Sequence, residues 1–369
     1  MANFLTLAVA GSRKTQGIVE HCASLPHDRR ALVLTYTQTN QAELRSRLAR
    51  LAGDHPGILV MGWFTFLLRD FARPFLPFQF AGHRVRGFNF EGRPHTMATG
   101  PRRFLDSNDC VYSCELGRLA HELVQVSQGA LLHRLECIYD EILLDEIQDL
   151  SSHDWEVIDI LLRSALDIRM VGDIRQAVLS TNPRSQKNKR YAYASALMWF
   201  RERENRGELQ IIENGTTWRC HPEIATFSDS IFDSSWSFPQ TQSLNKTVTE
   251  HDGVFLIRSK HVAEYVARFR PRCLRDSANS GKAFDLNYVN FRLAKGMTCQ
   301  RVLIVPTAGI KSFIQSGTRL DPVPASKFYV AVTRAEQSVA IMIDEPGCSQ
   351  LPYWDPSMAA QQGVEPDVE

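Results

Sequence analysis

No stretch of this 369-residue chain holds the ~18 consecutive apolar residues that a membrane-spanning helix needs. The opening MANFLTLAVAG has no basic segment of the kind that begins a secretory leader, and it reads as a strand running into a loop. Charge of one sign is also lacking. The formal net charge is +1, so no global field draws the chain to a polyanion, and any such contact must use local basic stripes. The eight cysteines are scattered, with Cys110 and Cys114 the only close pair and no second Cys/His pair at a zinc-like spacing. That pattern reads as reduced, mostly buried thiols in a cytoplasmic protein.

What is present is an ordinary globular composition, 44% hydrophobic and 22% charged, in a chain long enough for two domains. Short β-rich runs alternate with amphipathic stretches, the pattern of parallel sheets with helices on both faces. The spacing predicts strands over 4–10, 31–36, 57–62, 141–146 and 167–173, with helices over 41–52 and 155–166. A second series puts strands over 207–213, 253–259, 301–307 and 338–344, with helices over 261–270 and 326–335. We therefore expect two α/β lobes, 1–190 and 200–345, and a disordered tail over 346–369, which is rich in Pro, Gly, Gln and acids. Residues 74–135 differ in texture and read as an insertion in the first lobe, ending in a helical stretch over 113–126.

Two motifs carry chemistry. The first is Gly11-Ser12-Arg13-Lys14-Thr15, directly after the first strand. A phosphate loop needs a tight turn whose N–H groups face the phosphates, then a lysine and a hydroxyl residue opening a helix. Lys14 would neutralise β/γ-phosphates and Thr15 would ligate Mg²⁺. The usual glycine before the lysine is Arg13 here, which adds bulk where backbone meets phosphate. The second motif is Leu144-Asp145-Glu146-Ile147-Gln148-Asp149, at the end of an apolar strand. Two adjacent carboxylates are costly to bury without a partner. A metal held by Asp145, directly or through water, and a water oriented by Glu146 as base would satisfy them.

These motifs are followed by GDIRQ (172–176), TTWRCHPEI from Thr216, NFRLAKGMTCQRVLIV (290–305) and FYVAVTRA from Phe328. In this order and wording the chain resembles the UvrD/Rep branch of superfamily 1 helicases, from residue 4 to about residue 343. The resemblance implies two RecA-like lobes of the P-loop NTPase type, with ATP and Mg²⁺ between them. It also implies that ATP hydrolysis is coupled to single-stranded DNA translocation or unwinding, with 3'-5' polarity and RNA as an open alternative. It makes Gln176 the γ-phosphate coupler, Arg219 and Arg334 the arginines that stabilise the transferred phosphoryl group, and Lys295 and Gly296 further nucleotide contacts. Both arginines are expected to be exposed in a cleft, where they contribute little to folding. Thr35, Tyr36, Asn40, Thr65 and Phe66 fall in the family's strand-contacting motifs. Packing into the core is the competing role for at least two of Trp63, Phe64 and Phe66.

The departures define a second reading. The acidic residue that contacts the nucleotide sugar in the family is Thr298, and the aromatic pair after GDxxQ is replaced by Ala177, Val178 and Leu179. The interval from Arg219 to Lys295 only completes the second lobe, without the large accessory subdomain. The upstream glutamine motif that reads adenine is not seen, which leaves ATP against GTP open. A chain so reduced also fits a nucleotide- or DNA-sensing subunit for a protein partner such as a nuclease, in an antiviral system of the Gabija type. Basic stripes at Arg84–Arg103, interleaved with Phe88 and Phe90, and at Arg184–Arg190 are the best local phosphate footprints.

Overall fold

The computed structural model describes residues 3–182 and 184–359. It divides into two units. The first runs through Leu7, from Arg13 to Ile174 and from Leu179 to Glu213. The second takes Ala8–Ser12, Arg175–Val178 and the chain from Asn214 onward. Among the described residues no helix is long and apolar enough to cross a membrane.

In the first unit the elements are β1 (Phe4–Ala8), α1 (Lys14–Ala23), β2 (Ala31–Thr35), α2 (Gln38–Leu51), β3 (Ile58–Gly62), α3 (Trp63–Phe66) and α4 (Arg73–Gln79). A π-turn over Leu67–Ala72 joins α3 to α4. Then follow β4 (Gly87–Asn89), β5 (Cys110–Tyr112), α5 (Ser113–Val126), α6 (Ala130–Ile138), β6 (Glu141–Leu144), α7 (Asp154–Leu162), β7 (Asp167–Gly172), α8 (Ala196–Asn205) and β8 (Gln210–Asn214). The main sheet has the order β3-β2-β6-β7-β1-β8. Pairings β3–β2, β2–β6, β6–β7 and β7–β1 are all parallel. Strands such as Ala31–Thr35 are buried throughout, as a sheet covered on both faces requires. Helices α1 and α2 pack Ile18, Val19, Leu44 and Leu48 against Val33, Val60 and Leu143. Thr37 caps α2 by accepting the Asn40 N–H, one of the donors a helix start leaves without an intrahelical partner.

The second unit contains the short pair β9 (Thr216–Thr217) and β10 (Gln242–Ser243), with α9 (Pro222–Ser230) between them. It continues with β11 (Gly253–Ile257), α10 (Val262–Phe269), β12 (Arg272–Arg275), β13 (Tyr288–Asn290), β14 (Cys299–Ile304), α11 (Ala308–Ser316), α12 (Pro322–Val332) and β15 (Ala335–Met342). Its parallel sheet has the order β11-β15-β14-β12-β13. Ile257, Val262, Tyr265, Leu303, Ala340 and Trp354 form a core on one face.

The expected α/β architecture is therefore present, with three corrections. The boundary falls at 213/214 and not between 190 and 200. Helix α8 stays with the first unit because Trp199 and Phe200 pack on Trp155, with ring centroids 5.0 and 5.5 Å away. The expected tail is ordered as far as it is described: Tyr353 bridges Leu256 and Trp354 is only 6% exposed. Residues 360–369 of that tail lie outside the described residues. The helix expected over 326–335 is α12, begun earlier by Pro322 at its first position, where a missing N–H costs nothing.

Candidate nucleotide site

Strands β1, β2, β3, β6 and β7 run parallel, so the residues that follow them lie at one edge of the sheet, where ligands of such folds bind. The phosphate loop follows β1, Tyr36 follows β2, Phe64 follows β3 and Asp145 follows β6.

In the first unit this edge brings together residues far apart in sequence. Lys14 Nζ lies 3.1 Å from Glu146 Oε1. The Thr15 hydroxyl donates to Asp145 Oδ2 at 3.1 Å, and the Glu146 N–H donates to Asp145 Oδ1 at 2.9 Å. Gln148 Nε2 donates to Glu146 Oε2, so the glutamine of the acidic motif orients its carboxylate. Burial, and then the neighbouring Glu146 charge, hold the Asp145 carboxyl well above the usual carboxylate range, against the opposing pull of Lys14. Glu146 and Arg13 share a further property. Both occupy the left-handed region, with φ of 57° and 59°, a conformation costly for residues with a Cβ. Arg13 thus adopts the backbone that the usual glycine provides without strain.

Thr15 and Asp145 offer hard oxygen donors and are already in contact. That suits Mg²⁺, which takes one or two protein oxygens beside phosphate oxygens and water.

The second unit holds its own constellation. Gly11 has φ +76°, and a Cβ there would lie 2.6 Å from both Arg219 Cβ and Thr217 Oγ1, so only glycine fits. The Trp218 N–H donates to Gly11 O at 3.0 Å, and the Ala10 N–H to the Tyr329 hydroxyl at 3.3 Å. Ser12 is buried and its N–H closes the turn onto Val9 O. Arg334 Nη2 donates to Gln176 Oε1 at 2.8 Å, while Nε and Nη1 donate to Val330 O and Met297 O. Arg219 Nη1 donates to Thr333 O at 3.1 Å. Lys295 is half-buried and Gly296 adopts φ +87° in the turn before β14.

Several expectations change. Arg334 is 1% exposed, so it is part of the core of its unit as well as a candidate site residue. Phe66 and Thr35 are buried, Phe66 against Trp63 and Phe71, which removes them as surface contacts. Thr65 is exposed, and Tyr36, Asn40 and Phe64 are half-buried. Ala177 and Val178 are buried. Sequence reasoning missed Arg175. It is 2% exposed, ion-paired to Asp229 at 2.7 Å and set 4.6 Å from the Tyr329 ring centroid. An arginine inside GDIRQ was visible, but nothing in the sequence revealed its burial.

A parallel α/β unit with a phosphate loop touching an acidic pair is the construction of a P-loop nucleotide-binding protein. The family model described as UvrD/REP helicase N-terminal domain matches residues 102–181 of this chain. No curated protein matches it by sequence. Among solved structures, the PRRSV helicase is similar over 93% of this chain and 52% of its own, at 13% identity and a TM-score of 0.45. Arterivirus nonstructural protein 10 (helicase) is similar at 14% identity and a TM-score of 0.47, over 93% of this chain and 59% of its own. Its complex with DNA gives 14% identity, a TM-score of 0.46 and 61% of that chain covered. The chain thus spans about half to three fifths of the length of these structures.

Proposed function

We propose that this chain is a nucleic-acid-dependent NTP hydrolase of the UvrD-like helicase type, which uses ATP and Mg²⁺ and couples hydrolysis to movement along single-stranded DNA. The observation that carries the reading is the meeting of Lys14 and Thr15 with Asp145 and Glu146 at 3.1 Å each, across more than a hundred residues of chain.

The chemistry follows from those side chains. Lys14 serves the β/γ-phosphates when nucleotide enters, and its departure from Glu146 leaves that carboxylate to accept a proton from the attacking water. Gln148 keeps Glu146 aimed while this happens. Thr15 and Asp145 would hold the Mg²⁺, which supplies charge neutralisation along the phosphates. Gln176 and Arg334, bonded to each other, form the element that responds to the γ-phosphate, and Arg219 supplies further positive charge. Lys295 and Gly296 add further nucleotide contacts.

Unwinding of long duplexes by the chain alone is expected to be weak, because the buried Ala177 and Val178 offer no base platform. The same observation favours a second reading, a sensing subunit that works with a protein partner such as a nuclease. Hydrolysis by the purified chain, measured with and without single-stranded DNA or RNA, separates the two. Stimulation by a strand supports the motor, and indifference supports the sensor. Absence of hydrolysis under both conditions would overturn the enzyme.

A further inference from the structure

The insertion in the first unit extends an aromatic row that begins at the sheet edge. Tyr36 and Phe64 have ring centroids 5.9 Å apart, Phe64 and Phe90 5.8 Å, and Phe90 and Phe88 5.1 Å. Tyr36 and Phe64 come from the ends of β2 and β3, whereas Phe88 and Phe90 come from β4 and the turn after it. Phe90 is 62% exposed, a large apolar area for a side chain that closes no core.

The row is held in place. β4 pairs parallel with β5, Phe88 opposite Val111. Asn89 accepts the Gly92 N–H at 2.6 Å and donates to Asp106 at 2.8 Å, which fixes the turn that presents Phe90. Exposed cations flank it in sequence: Arg84, Arg86 and Arg93 are all at the surface, and the Arg86 side chain is 77% exposed and paired only loosely with Asp109 at 3.7 Å. Aromatic faces interleaved with solvent-facing guanidinium groups suit an occupant that alternates flat apolar rings with negative charge. That is the chemistry of an unpaired nucleic-acid strand. A duplex would not expose its base faces.

We infer that Phe90, backed by Phe88, stacks a base of a bound single strand and continues the platform that starts at Tyr36. This inference rests on the strand-dependent reading above. It assigns to the insertion the base platform that Ala177 and Val178 cannot provide.

The test is fluorescence-anisotropy binding of the full chain to an oligothymidylate, an oligouridylate and an abasic strand of equal length. Melting curves and strand-free NTP hydrolysis serve as controls. Phe90→Ala is expected to bind the base-bearing strands roughly tenfold or more weakly, with abasic binding, melting and strand-free hydrolysis unchanged. Phe90→Trp is expected to bind as wild type does. A loss on only one of the two sugars supports the inference and identifies the occupant. Unchanged binding by Phe90→Ala, with a wild type that binds, overturns this inference alone. Equal losses on abasic and base-bearing strands overturn stacking. A wild type that binds no strand overturns the parent reading together with this one.

Discussion

Arg334 and Gln176 are bonded side chain to side chain at 2.8 Å, although 158 positions separate them in sequence and both are buried. A guanidinium so enclosed ties the GDIRQ segment to the helix that carries the YVAVTRA motif. Arg334→Ala would take one donor each from the Gln176 amide oxygen and the carbonyls of Val330 and Met297. A stability loss of roughly 2–4 kcal/mol is expected, together with slowed hydrolysis. Arg219 is half-buried and makes one bond to a backbone carbonyl, so Arg219→Ala should slow hydrolysis with a loss below about 1 kcal/mol. Thermal melts beside turnover numbers check both. Equal melting of the two variants would refute the distinction.

Glu146→Gln should keep nucleotide binding and reduce turnover roughly 10²–10⁴-fold, since an amide cannot accept the proton of the attacking water. The same change removes the charge that helps to raise the Asp145 carboxyl, so Asp145 should titrate lower in the variant. Turnover near wild type would show that Glu146 is not the base.

Arg13→Gly should relieve a left-handed backbone at the start of α1. Relief of strain and the larger entropy of an unfolded glycine nearly offset each other, so the expected change stays within about 1 kcal/mol of zero. Nucleotide affinity should be retained or rise, because backbone approaches phosphate more closely without the side chain. A clear loss of stability would mean that the Arg13 side chain holds the loop.

Acid should weaken the second unit through His251. The ring lies between Phe255 and Phe269, with centroids 4.2 Å away on each side, and its Nε2 meets the Tyr265 hydroxyl at 3.0 Å. Burial, and then Arg301, lower its pKa from 6.5 to about 4. The folded state therefore binds its proton more weakly than the unfolded chain does. The resulting stability is complete above about pH 6.5 and is lost as pH falls toward 4. His153 in the first unit, also lowered to about 4, acts in the same direction. Melting temperature followed from pH 7 to pH 4 should fall less steeply in His251→Phe than in wild type, and parallel curves would count against this account.

Much of this was legible in the sequence because it is local. Continuous apolar runs such as Ala31–Thr35 mark buried parallel strands, and Lys14-Thr15 and Asp145-Glu146 carry their chemistry in adjacent residues. What could not be read depends on partners distant in sequence. The strands Arg272–Arg275 and Tyr288–Asn290 are too short and polar to show a period; the first exists because β14 offers an edge to pair with, and the second because the first does. The burial of Arg175 requires Asp229 and Tyr329, and the exposure of Phe90 depends on an Asn89 turn that no apolar pattern announces. Phe66 is buried beside the exposed Thr65 because a short helix puts adjacent residues on different sides, so the motif alone leaves its role open between strand contact and core packing.

The segment around Trp354 covers an edge of the second unit's sheet. β11 is the outer strand of its sheet, and an outer strand is a template for pairing with a neighbouring molecule. Here Leu256 donates to Pro352 O at 2.8 Å and accepts the Trp354 N–H at 2.9 Å, so the chain uses its own later residues to occupy that edge. A protein trimmed at residue 345 would lose the Trp354 anchor and leave a row of backbone donors and acceptors open. It should self-associate more readily than the longer chain, which light scattering of the two would show. Expression boundaries and fused tags therefore belong beyond residue 359, where the edge is already closed.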